Sequence, residues 1–136
     1  MIKNAFDLVE AEYMQSVYEK WTKNLMDSWS SLEGSKTALL FSKDVKYYEA
    51  PMDVPCNSWE DVAKLWGVVP NNQKDITYRF NILCCTNDIC IVNWKLDRIF
   101  IPTNEKQRID GIFQISLNNE GLCNYFKQWR YTFVER

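Results

Sequence analysis

The chain contains no histidine, which excludes Ser-His and Cys-His nucleophile pairs and removes the commonest transition-metal ligand. Acid-base chemistry must then come from carboxylates, tyrosine, lysine or cysteine. The acids nearest apolar segments are Glu49, Asp53, Asp97 and Asp110. In "RIDGIFQISL", alternation places Ile109, Gly111, Phe113, Ile115 and Leu117 on one face and Asp110, Ile112, Gln114 and Ser116 on the other. The apolar set is expected to face the interior, so Asp110 points outward unless a bulge intervenes at Gly111. Glu49 alternates away from Tyr48, Asp53 sits in a proline-flanked loop, and Asp97 lies on a charged strand; all three are expected to be solvated. Should the protein be catalytic, Tyr48 and Asp53 are the first candidates. Five cysteines form no CxxC pair and leave an odd one over, so they read as reduced, mostly buried thiols in a cytoplasmic protein. Inert packing is the expectation for Cys84 and Cys85.

The elements that must position these groups follow from periodicity. Phe6, Val9, Tyr13, Val17, Trp21, Leu25 and Trp29 recur at three- and four-residue steps, predicting one face of a long helix that Gly34 ends. "TALLF" suggests one or two helical turns, followed by a strand, "DVKYYEA", that ends at Pro51. Ser58 with Asp61 three residues on fits an N-cap for a brief helix through Trp66. Strands are predicted over Ile76–Thr86, Ile89–Ile101, Arg108–Leu117 and Leu122–Val134, with turns at Asn87-Asp88 and Asn118–Gly121. Helices come first and a meander last, which predicts an α+β domain over residues 1–136. A length of 136 residues suits one core, and 46% apolar and 15% aromatic residues make it globular. A net charge of -2 with no basic stripe argues against nucleic acid. No apolar run has the length of a membrane span.

Three stretches, "LFSKDVKYYEAPMDVPCNSWEDVAKLW", "ICIVNWKL" and "IDGIFQISLNNEGLCNYFKQW", in this order and spacing resemble the nuclear transport factor 2-like superfamily, in particular its SnoaL-like branch. The resemblance implies a cone-shaped fold, with N-terminal helices packed on a curved, mostly antiparallel sheet enclosing a pocket, often in a homodimer built on the outer sheet face. It implies no single reaction, because the superfamily holds isomerases, cyclases, hydrolases, dehydratases and transport adaptors. Where its ketosteroid isomerases place a general-base aspartate before the proline that closes the first strand, this chain has Ala50. Their oxyanion-binding aspartate falls at Phe113, so that isomerase chemistry is not expected. The carboxylate common on the last strand of SnoaL-like proteins falls at Gln128, which keeps the hydrogen bonds but does not titrate.

Counted from Gly121, the last strand is expected to turn Asn124, Phe126, Gln128 and Arg130 inward and Cys123, Tyr125, Lys127 and Trp129 outward. With the faces reversed, Trp129 becomes core and Gln128 surface. The pocket candidates are Tyr48, Trp66, Tyr78, Phe80, Phe113, Phe126, Gln128 and Arg130, although large rings also fill cores without touching a ligand. Tyr125, Trp129 and Tyr131 form an outward aromatic patch suited to a homodimer. The expected function is binding of a small apolar or aromatic molecule, with no cofactor, metal, nucleic-acid or membrane partner. The alternatives are a cofactor-independent enzyme of cyclase, isomerase, dehydratase or hydrolase type, and a protein-interaction module using the outer sheet face.

Overall fold

The computed structural model describes residues 5–135, with side-chain surroundings from residue 8 onward. The helix α1 (Ala5–Ser30) buries Tyr18, Trp21, Leu25, Met26 and Trp29, a stripe at three- and four-residue spacing. Val9 and Tyr13 continue that stripe in sequence but remain 64% and 59% exposed. The Phe6 position lies outside the residues with described side chains.

Gly34 does not end α1. It opens the short helix α2 (Gly34–Ala38), and the stop is made by Leu32 in the left-handed region at φ 62, with Glu33 N–H donating to the Ser28 carbonyl. Then come β1 (Phe41–Tyr48), α3 (Trp59–Trp66) and α4 (Val69–Asn72), followed by β2 (Gln73–Cys85), β3 (Cys90–Phe100), β4 (Glu105–Leu117) and β5 (Cys123–Glu135). Ser58 caps α3, its hydroxyl accepting from Asp61 N–H at 3.2 Å. Ser58→Ala is expected to cost about 1 kcal/mol in urea unfolding.

The sheet order is β1-β5-β4-β3-β2, with β1 parallel to β5 and every other pair antiparallel. Helices cover one face. The core lies between α1 and that face, where Trp94, Phe113, Phe126 and Tyr47 stack in a row of rings with centroids 4.8 Å apart between neighbours. Tryptophan donors fix the layers to each other. Trp21 Nε1 donates to the Leu40 carbonyl at 3.0 Å, Trp29 Nε1 to Gln73 Oε1 at 2.9 Å and Trp59 Nε1 to the Ala38 carbonyl at 2.7 Å.

Ile109, Gly111, Phe113 and Ile115 face the core, and Asp110 is exposed on the other side, where Asn93 Nδ2 donates to it at 2.8 Å. The last strand departs from simple alternation at its start. Its register against β4 shifts between Ser116 and Leu117, so Leu117 pairs with Cys123 while Ser116 pairs with Tyr125. The extra residue, Asn124, is absorbed as a bulge, which turns Cys123 into the core rather than outward.

The cysteines also correct the expectation. Cys85 and Cys90 pair across the β2–β3 hairpin and are disulfide-bonded, because the tight turn sets them directly opposite. Cys84 is exposed rather than buried, Cys56 is half-buried, and only Cys123 of the free thiols is fully buried. No helix among the described residues is long and apolar enough to cross a membrane.

Candidate functional site

A cleft of about 220 Å³ opens between the inner face of the sheet and the helices α3 and α4. Apolar walls come from Trp29, Trp66, Phe100, Phe113 and Phe126, and polar groups from Tyr47, Glu49, Gln73, Arg98, Gln128 and Arg130. Five of the eight residues proposed from the sequence meet here: Trp66, Phe113, Phe126, Gln128 and Arg130. The other three are placed elsewhere.

Tyr48 is on the outer face. β1 pairs Tyr47 with Phe126 and Tyr48 with Lys127, so Tyr47 points into the core and Tyr48 away from it. There Tyr48 meets Tyr125 at 5.8 Å, and the Lys127 ammonium lies 4.9 Å from its ring centroid. Tyr78 and Phe80 do share the helix-covered face, paired with Leu96 and Trp94. Neither lines the cleft, however: the two rings stack on each other with centroids 6.4 Å apart, and the Tyr78 hydroxyl donates to Asp27 of α1. Burial, reinforced by Asp27, raises the Tyr78 pKa to about 12.

Glu49, which the sequence reading turned outward and expected to be solvated, lines the cleft. It follows Val45 and Tyr47 at two-residue steps, so it continues their inward face just beyond the end of β1. The Tyr47 hydroxyl donates to Glu49 Oε2 at 2.9 Å, and Arg130 Nη1 donates to Oε1 at 3.4 Å. Loss of water around the carboxylate raises its pKa above the ordinary 4.5, and nearby Asp53 adds to the rise. Arg130, the Tyr47 hydroxyl and Gln128 oppose it. Tyr47, fully buried beside this acid, is pushed well above 10, first by burial and then by the Glu49 charge.

A group not singled out from the sequence is Arg98. It shares the parity of Val92, Trp94 and Leu96 on β3 and reaches the cleft from the far end of that strand. Its Nε donates to Gln107 Oε1 at 2.9 Å and its Nη1 to Gln73 Oε1 at 3.0 Å, and its guanidinium carbon lies 5.1 Å from the Phe100 ring centroid. Burial pulls its pKa down to about 10; Arg130 pulls the same way and Glu49 opposes. Trp66 Nε1, beside the Tyr47 hydroxyl, makes no hydrogen bond of acceptable geometry although it is buried. Among the described residues no trio of acids and thiols converges as a metal-ligating group.

The arrangement couples three charges, so changing one must move the others. Arg130→Gln is expected to raise the Glu49 pKa further, because the nearest cation that favours the carboxylate is removed. Carbon-13 NMR of the glutamate carboxyls checks this; an unchanged or lowered midpoint counts against the coupling.

No known family pattern matches the chain, and no curated protein matches it. Solved structures do. A type 2 hexachlorocyclohexane dehydrochlorinase (LinA) superposes with a TM-score of 0.73 at 8% identity, covering 90% of this chain and 88% of its own. A protein described as a scytalone dehydratase from Novosphingobium aromaticivorans gives 0.76 at 11% identity, covering 96% and 90%. SalBIII, described as epoxide hydrolase/cyclase-like and linked to pyran ring formation in the polyether salinomycin, gives 0.74 at 8% identity, covering 91% and 97%. The chain therefore has the nuclear transport factor 2-like, SnoaL-like fold, an α+β cone with helices on an open, mostly antiparallel sheet.

Proposed function

We propose that the cleft binds one small, partly aromatic molecule and that Glu49 accepts a proton from it without the help of a cofactor. The observation that carries this is Glu49 itself, a carboxylate among aromatic walls whose basicity is raised by lost hydration while Tyr47 and Arg130 hold its two oxygens. A carboxylate with a raised pKa is a better base than a solvated one. Proton removal from a carbon next to a carbonyl leaves an electron pair that either rests on the oxygen as an enolate or expels a leaving group from the neighbouring carbon. Developing negative charge would face the Arg130 guanidinium. The similar structures are named for a dehydrochlorination, a dehydration and a cyclisation or epoxide hydrolysis. The first two remove a proton together with a leaving group, and Glu49 is the cleft's acceptor for it.

Solvent deuterium incorporation tests this reading. The protein incubated in D2O with one-ring enolisable ketones, phenylacetone among them, is expected to speed exchange at the carbon beside the carbonyl. No acceleration over protein-free buffer with any of them overturns proton transfer. Native mass spectrometry of freshly purified protein, in parallel, is expected to show a retained small molecule.

A second copy of the chain is our proposed partner for the outer face. Tyr131 is 71% exposed there and Phe133 49%, beside Trp129 and Tyr125, while Lys127 lies over the rings of Tyr48 and Trp129. That face mixes aromatic rings with charges of both signs, which suits a two-fold pairing with itself. The same mass spectrum reports it, as a dimer that Trp129→Glu together with Tyr131→Glu converts to monomer. A wild-type monomer overturns the pairing.

A further inference from the structure

The cleft holds more positive charge than its own acid can balance. Two guanidinium groups, Arg98 and Arg130, line it against one carboxylate, Glu49, and the Arg130 contact to that carboxylate is a long 3.4 Å. Among the described residues no acid forms an ion pair with Arg98; its two hydrogen bonds go to the neutral amides of Gln73 and Gln107. A half-buried cation in no direct ion pair is unusual, since the loss of hydration is normally offset by an opposite charge in contact with it. This surplus of positive charge calls for a ligand group that only accepts hydrogen bonds and carries negative charge.

Size narrows the class. A 150 Å³ cavity is known to hold benzene, so about 220 Å³ accommodates one ring and a short substituent. The walls suit a ring, since Trp66, Phe113 and Phe100 line the same space as the cations. We propose that the cleft selects a one-ring carboxylic acid, its carboxylate held by Arg98 and Arg130 and its ring against the aromatic wall. This rests on the reading of the cleft as a ligand site and adds the charge of the ligand to it.

Calorimetric titration of the full chain with phenylacetate and with its neutral counterpart phenylacetamide tests the assignment. The acid is expected to bind at least about tenfold tighter than the amide, and the preference to shrink as salt rises. Arg98→Gln and Arg130→Gln are each expected to remove most of that preference while amide affinity changes little. Arg130 is about one-third exposed, so its variant is expected to fold even if loss of the Arg98 amide bonds unfolds the other. Equal binding of acid and amide overturns the anion assignment while leaving the ligand site standing. An acid preference untouched by Arg130→Gln also overturns it. Failure of both probes to bind overturns the anion assignment and the ligand site together.

Discussion

Gly34→Ala is expected to destabilise the fold by about 3 kcal/mol or more. A Cβ at this position would sit 1.9 Å from the Trp66 carbonyl oxygen and 2.8 Å from its carbonyl carbon. Both are backbone atoms, so no side-chain rotation relieves the overlap and α2 must separate from α3. That separation pulls on the Trp59 bond to the Ala38 carbonyl and on the 2.6 Å contact between Ser28 and Thr37 that ties α2 to α1. It also shifts Trp66, which walls the cleft. Urea unfolding against Ser35→Ala, an exposed change on the same helix, isolates the effect. A Gly34→Ala variant as stable as Ser35→Ala would show that the two helices do not pack this closely.

Glu49→Gln is expected to slow proton exchange by about 10²- to 10⁴-fold, the usual contribution of a positioned general base. Ring binding should survive, because glutamine keeps the shape and still accepts from Tyr47. Stability should move the other way. Burial makes the charged form of Glu49 costly in the folded state, so its folded pKa lies above its unfolded value. The stabilising contribution of the protonated acid is therefore complete below the ordinary glutamate value of 4.5 and is lost as pH rises through the folded pKa. The variant, which cannot ionise, should be the more stable protein at about pH 8, with its advantage shrinking as pH falls to about 4. Thermal unfolding at the two pH values measures this. A variant less stable than wild type at the higher pH would mean that the pairing with Arg130 outweighs burial.

The chain's architecture was largely legible because strong alternation survives folding. Ile109, Phe113 and Ile115 inward with Asp110 outward is a direct consequence of period-two geometry in β4, a strand paired on both sides. The Ser58 cap is likewise local chemistry. The site was only partly legible, and the misses share a cause. In "VKYYEA" two adjacent tyrosines hide the parity of an edge strand, and taking Tyr48 as the inward ring turned Glu49 away from the cleft. Val45, wholly buried, was the available signal, since Val45, Tyr47 and Glu49 alternate together. Arg98 was readable in the same way from Val92, Trp94 and Leu96. The bulge at Asn124 was not, because it depends on register against β4 and leaves no compositional mark. Nor was the Cys85–Cys90 bond, which needs the hairpin's pairing to be known before the spacing means anything.

The most direct test of the account is a carbon-13 NMR titration of the Glu49 side-chain carboxyl, assigned by the loss of its signal in Glu49→Gln. A partly buried cleft carboxylate that has lost some of its hydration should titrate above the ordinary glutamate value of 4.5. A midpoint at or below that value would place Glu49 in bulk solvent or in a dominant ion pair, and would contradict its role as the base of the cleft.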